Sequence, residues 1–217
     1  MTVRVLALAS GLTTTEGHRL TLTGLTLSAG AVTGRSGVYP ANGAAALATV
    51  SAMVASIAPF NAWIDGSNST VQGGYLFCSD TSTNITFDAG NAATTRYDRI
   101  IARVKDNIYD GSGGTTGEVA YLKGNTTTGA ATALPSNSLL LKEIAVPAGA
   151  SAGGGGINFG TQTVDKVVYT VAAGAVNPIA NATDRTAIAT PHDGAVISRT
   201  DLDALQVFDG SAWKPVG

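Results

Sequence analysis

The sequence predicts an all-β protein, and three features carry the prediction. The first is the stretch from Arg96 to Asp106, RYDRIIARVKD, where Ile100, Ile101 and Val104 supply branched apolar bulk suited to a pleated, packed surface. The second is its partner. After a turn-rich loop over 107–114, the segment from Glu118 to Gly124 reads as another strand, so the two make a long hairpin. The third is alternation: Ile85 and Phe87 share one face, Asn84, Thr86 and Asp88 the other, as in a half-buried strand.

Composition narrows the class. A chain of 217 residues can hold one sizeable domain with an appendage, or two small ones. Charged residues are 13% of it, against about 25% in an ordinary globular protein. Disorder needs high net charge and few apolar residues, and this chain has neither. A net charge of −2 offers no basic field for nucleic acid. So sparsely charged a surface is poorly equipped to stay apart from its neighbours, which points to burial against other subunits. Cys78 is the single cysteine, so no intrachain disulfide framework exists. Its place in the apolar run Tyr75-Leu76-Phe77-Cys78 suggests a buried structural thiol. The apolar opening is short and broken by Arg4, unlike a signal peptide. With no run of 18 apolar residues, no membrane insertion through a helix is expected.

Taken in order, residues 1–12 read as a first strand or an extended arm. Thr13 to Glu16 fits a capping box that would start a short helix, whereas Leu20 and Leu22 alternate with threonines as in a strand. A turn is expected at Gly34-Arg35-Ser36-Gly37. In residues 42–58, Leu47, Val50, Val54 and Ile57 have helical spacing, while Met53 to Ala58 alternate as in a strand; the favoured expectation is a loop through Ala48 and one strand from about Val50 to Ala58, ended by Pro59. Short strands follow at Ala62–Ile64, Val71–Ser79 and Asn84–Asp88, before the hairpin described above. Leu139 to Val146 is the last strong strand of this unit. Gly153 to Gly156 then mark the clearest boundary in the chain. The expected organisation is a domain over 1–150, a Gly-rich linker over 151–160, and a small β-element over 161–217. In the last, Ala195–Ser198, Leu205–Phe208 and Ala212–Val216 form a meander turning at Asp209-Gly210, with Trp213 as its anchor. So small a unit rarely holds a core alone and should lean on the first domain or on copies of itself.

No constellation of residues announces chemistry. His18 and His192 are the only histidines and have no zinc-site spacing, so no metal or other cofactor is expected. The Asp106 to Gly113 loop offers oxygen ligands but lacks the alternating ligands and closing Glu of an EF-hand. The glycine run is not followed by Lys-Ser/Thr, so it is no phosphate cradle. No nucleophile elbow accompanies a usable histidine. Asp98, Asp106, Glu118 and Glu143 are carboxylates without a recognisable catalytic pairing. Arg96 and Asp98, two apart, lie on one strand face and read as a structural ion pair or backbone clamp. Trp63, Tyr109 and Trp213 could stack sugars, but core or interface anchoring is their expected use. Four Asn-x-Ser/Thr sequons, at Asn68, Asn84, Asn125 and Asn181, arise readily in so Thr-rich a chain.

An ordered series of short motifs resembles a known family. It comprises Thr-Glu-Gly-His-Arg-Leu near the start; Thr33-Gly34-Arg35-Ser36-Gly37-Val38; Met53 to Pro59 leading to Ala62-Trp63-Ile64-Asp65-Gly66; Tyr75-Leu76; Arg96 to Asp106 with Tyr109-Asp110; Leu134-Pro135 with Leu139 to Ile144; and Val146-Pro147-Ala148-Gly149. Over roughly residues 1–150 this resembles the minor tail or baseplate proteins of tailed bacteriophages, especially phages of actinobacteria. The Asp201 to Trp213 segment is similar to a terminal β-element of phage tail and fibre proteins. After Gly149 the chain departs from the family, which has an Ile-x-Asp-x-Arg segment where this one has its glycine run.

The resemblance implies a jelly-roll-like β-sandwich built into the distal tail of a virion as a homotrimer or ring. It implies an adaptor or receptor-binding subunit and no catalytic residues. The expected partners are further copies of the chain, other phage tail proteins and, as a candidate, a host cell-surface glycan. Two alternatives stand beside it. One is a head fibre or capsid decoration protein. The other is a carbohydrate-binding module or wall-degrading enzyme, in which Asp98 or Glu118 would be essential.

Overall fold

A computed structural model describes residues 14–188 and 191–217. The expected arm or strand over 1–12 lies outside them. The fold is all-β, with several antiparallel sheets and a few short helices. Two compact units make up the described chain: one from residues 14–40, 62–76 and 168–217, the other from 41–61 and 77–167.

The chain opens with helix α1 (Thr15–Leu22). Thr14 Oγ1 accepts from Gly17 N at 2.9 Å, so the cap lies one residue beyond the expected box, and capping wins over the leucine alternation. Strands β1 (Ser28–Gly30) and β2 (Thr33–Gly34) form a small hairpin, and β3 (Gly37–Val38) follows. The expected turn over 34–37 is therefore the junction between β2 and β3. Strands β4 (Leu47–Ser51) and β5 (Val54–Ile57) replace the single strand expected there. The chain reverses at Ala52-Met53, which carries none of the usual turn residues.

Strands β6 (Phe60–Asp65) and β7 (Gly74–Ser79) come next. Alternation along β7 buries Phe77 and exposes Cys78, so the thiol is not the buried one expected. Strand β8 (Thr83–Thr86) pairs with β5, and Ile85 and Phe87 point inward as the alternation predicts. The long strand β9 (Arg96–Asp106) leads through the one-turn helix α2 (Asn107–Asp110) into β10 (Thr115–Leu122), in continuous antiparallel register. Strand β11 (Ser138–Val146) lies on the other side of β9, with a bulge between Leu140 and Lys142. Helix α3 (Phe159–Gln162) and strand β12 (Thr163–Asp165) complete the β10-β9-β11-β12 sheet. The second unit thus holds two sheets, this one and β4-β5-β8. Phe87, just past β8, meets Tyr121 of β10 edge-on at 5.2 Å and Phe159 at 5.4 Å, as in a sandwich core.

The glycine run is not the boundary expected at 151–160. It is a tight loop inside the second unit. Gly154 N and Gly156 N both donate to Ser151 O, and Ile157 N donates to Ala52 O at 2.8 Å. A Cβ on Gly156, whose φ is +64°, would stand 2.4 Å from Ala52 O. These glycines serve a close backbone approach and a left-handed conformation, not flexibility.

The first unit is interleaved from both ends of the chain, which also overturns the expected 1–150 and 161–217 division. Val38 bridges Tyr169, and Thr26 bridges Ala172. Trp63, 1% exposed, lies against Gly34 and Gly74. A Cβ on either glycine would fall 2.4 or 2.2 Å from the indole. Asp65 Oδ1 accepts from Gly34 N at 3.1 Å and Trp63 Nε1 at 3.4 Å. The C-terminal part carries β13 (Asn177–Ile179), helix α4 (Ala182–Thr186), β14 (Val196–Arg199), β15 (Ala204–Phe208) and β16 (Trp213–Pro215). The expected meander is β14-β15-β16, and β13 adds a parallel edge strand that the sequence reading missed.

Candidate functional site

Of the residues singled out by sequence, Arg96 and Asp98 meet most closely. Side chains two apart on β9 share a face, and here both are buried, 1% and 0% exposed. Asp98 accepts from Arg96 Nε at 2.7 Å and Nη2 at 2.8 Å, a bidentate pair. It also accepts from Tyr121 Oη and Gly124 N, each at 2.8 Å. Arg96 spends its remaining donors on Ala89 O at 2.8 Å, Asp88 O at 3.0 Å and Asn91 Oδ1 at 3.4 Å. Burial, and then the Asp98 carboxylate, push the Tyr121 hydroxyl well above its ordinary pKa. The bond to Asp98 raises the Arg96 guanidinium above its ordinary pKa. With four donors and no exposed surface, this carboxylate is fully engaged by the chain's own groups. Arg96 clamps the loop over 88–91, and Asp98 the loop over 123–125, onto the central strand.

The other carboxylates are also spent locally. Glu118 pairs with Lys105 at 2.8 Å on the sheet surface. Asp106 Oδ1 caps α2 by accepting from Ile108 N at 3.3 Å. Asp110 accepts from Ser112 N at 2.9 Å and Asp106 N at 3.3 Å, with Arg103 at 3.7 Å. These oxygens close the 107–114 loop, and among the described residues no cluster of three His, Cys, Asp or Glu suits a metal ion. Tyr109 is half-buried on α2. Two sequon asparagines act as caps: Asn181 Oδ1 accepts from Thr183 N and Asp184 N, and Asn125 Oδ1 from Thr127 N and Thr128 N.

Trp213 lies elsewhere, at a concavity of the C-terminal sheet. Register places Asn177 opposite Ile197, Ile197 opposite Gln206, and Phe208 opposite Trp213, so all share one face. Phe208 and Trp213 rings sit 5.3 Å apart. Arg185 of α4 donates to Gln206 Oε1 at 3.0 Å on this face. Beside it lies a cavity of about 100 Å³ bounded by Leu27, Asn177, His192, Ile197 and Trp213. A second cavity of about 280 Å³, lined by Thr23, Thr26, Thr33 and His192, shares Leu27, Ser28 and Gly174 with it. Asn177 is 1% exposed, and its Oδ1 and Nδ2 have no hydrogen-bond partner among the described residues.

Sequence reasoning missed Tyr121 and Asn177. Tyr121 had a usable signal, since the hairpin register brings β10 against the Arg96–Asp98 end of β9. Asn177 had none: Asn-Pro reads as a turn, and its isolation depends on distant neighbours. No protein-family model matches this chain, and neither does any curated protein or solved structure. Among the described residues no helix is long and apolar enough to cross a membrane.

Proposed function

We propose that the chain is a non-catalytic structural subunit of a phage virion: a minor tail or baseplate adaptor, or a receptor-binding subunit, assembling as a symmetric oligomer. The motif series over residues 1–150 motivates the phage assignment. The observation that carries the assembly reading is the outer face of the C-terminal sheet. Register puts Val196, Leu205 and Val207 on the face opposite Ile197 and Gln206, and Val216 N donates to Leu205 O at the same edge. Leu205 and Val216 are 42% and 54% exposed, and Leu202 in the adjoining turn is 56% exposed. Lys214, opposite Val207, is the charged member of this face, and the apolar side chains grouped around it suit burial against further copies.

The consumption of Asp98 and Glu118 in ion pairs favours a binding or building role over wall cleavage. Native mass spectrometry of the purified chain tests the assembly reading. A stable species at three times the 21.7 kDa chain mass is expected. A monomer at every accessible concentration contradicts it. The enzyme alternative predicts hydrolysis of host wall polymer that Glu118→Gln abolishes.

A further inference from the structure

The backbone amide that follows an asparagine can attack that residue's side-chain amide, and a following glycine, with no Cβ, leaves the approach least hindered. The reaction needs a side chain free to turn, a backbone N–H not held by an acceptor, and solvent at both. Asn42 is the one asparagine in the chain that precedes glycine. Both it and Gly43 are exposed, in the turn over 42–45 that leads into β4. Neither the Asn42 side-chain amide nor Gly43 N has a hydrogen-bond partner among the described residues. Gly43 has φ +76°, and nothing lies within 4 Å of the place a Cβ would take.

The Asp-Gly pairs of the chain could close the same ring, and each is restrained. Gly66 N donates to Gly73 O at 3.0 Å, Gly111 N to Asn107 O at 3.3 Å and Gly194 N to Phe208 O at 2.8 Å. In the remaining pair, Asp209-Gly210, the hydrogen bonds to Asp209 keep its carboxylate ionised, and an ionised carboxylate has no leaving group to lose. Asn42-Gly43 alone combines a neutral, unpaired side-chain amide with an unpaired backbone nitrogen.

We propose that Asn42 is a site of self-modification, converting through a cyclic imide to isoaspartate and aspartate. Hydroxide takes the Gly43 N proton, Gly43 N bonds to Asn42 Cγ, and the Cγ–Nδ2 bond breaks as water protonates the departing ammonia. Solvent water then opens the imide. Cleavage at Cγ gives aspartate, cleavage at the Asn42 main-chain carbonyl carbon gives isoaspartate, and Gly43 N regains its proton either way. Each product takes the net charge from −2 to −3. The isoaspartyl form also routes the backbone through the side-chain methylene, inside the turn that Ala44 N closes on Ala41 O at 3.1 Å. That turn enters β4 beside buried Ala45, held at φ +52°, and Ala46 O, which accepts from Ala58 N at 2.8 Å. Conversion therefore loosens the start of an edge strand. The inference does not depend on the assembly reading, because a monomer that converts at Asn42 leaves it standing.

The test incubates the full chain in mildly alkaline buffer, folded and, as the reference, unfolded in urea. Peptide mass spectrometry reads the amide-to-acid mass gain at each asparagine, and an isoaspartate-specific methyltransferase labels the rearranged product at residues 42 and 65. Folded Asn42 should convert within about tenfold of its unfolded rate and ahead of every other asparagine, with isoaspartate the larger product. Asp65, whose following amide is held by Gly73 O, should rearrange at least about tenfold more slowly folded than unfolded. In the isoaspartyl form the Ala44 amide should exchange its hydrogen about tenfold or more faster than in the unmodified chain. Conversion of folded Asn42 slowed by more than about tenfold, equal conversion at another asparagine, an unprotected Asp65 or unchanged exchange at Ala44 would each overturn the proposal.

Discussion

Asp98 and Asn177 are equally buried polar residues on strands, and they stand at opposite ends of a hydrogen-bond account. Asp98, 0% exposed, receives four donors and completes Arg96. The Asn177 side chain, 1% exposed, receives none and gives none among the described residues. Burial alone therefore says little about role. A buried polar group whose partners all come from the chain is scaffold, and altering it threatens the fold. One that finds no partner among the described residues costs stability where it stands, and replacing it with an apolar side chain should spare the fold.

That contrast breaks most visibly at the scaffold end. Asp98→Ala leaves the Arg96 guanidinium buried beside Tyr121 without its counter-charge, and should cost about 3–5 kcal/mol in chemical denaturation. A loss under about 1 kcal/mol would mean that water replaces the carboxylate and that the network is no scaffold. Gly74→Ala is next. Its Cβ would fall 2.2 Å from the Trp63 indole, and the forced displacement should cost about 1–3 kcal/mol.

At the other end, Asn177→Leu should leave Tm unchanged or raise it. It removes an amide whose unpaired burial costs about 1–3 kcal/mol and adds apolar contact with Ile197. A clear fall in Tm would mean that the amide is already satisfied in solution. The smallest expected effect is at the β15–β16 turn. Asp209 accepts from Ala212 N, Ser211 Oγ and Ser211 N, which holds its pKa at about 2. A free aspartate titrates near 3.9, so the turn is fully supported above about pH 4 and loses that support as pH falls through 2. The Ser211 and Ala212 amide resonances should report this midpoint. A midpoint near 4 would show that the turn is open in solution.

The two regions also differ in how far the sequence announces them. Strand β9 is legible because its length, branched side chains and hairpin partner are all local, and the i, i+2 spacing alone places Arg96 beside Asp98. Helix α1 was ambiguous until Thr14 was seen capping Gly17 N. The Ala52-Met53 reversal is illegible because its turn is set by the pairing of β4 with β5, not by turn residues. The division of the chain was misread for a similar reason. A glycine run signals a linker only if nothing approaches it, and here Ala52 does. The actual first unit is joined by bridges such as Val38 to Tyr169, which no local pattern reveals. Cys78 was misjudged because an apolar run alone does not give its phase, and β7 turns Phe77 inward. Strand β13 was hidden by Pro178, tolerated because β13 is a sheet edge. Asn177 follows from that edge, since only the folded sheet shows it to be without partners.

The proposed building block would meet copies of itself through the outer face of its C-terminal sheet. The most direct test compares the solution mass of the unaltered chain with that of a Leu205→Lys/Val216→Lys variant, both by native mass spectrometry. Three chains of 21.7 kDa are expected for the unaltered protein and a folded single chain for the variant. A single chain for both, or an unchanged oligomer in the variant, would contradict it.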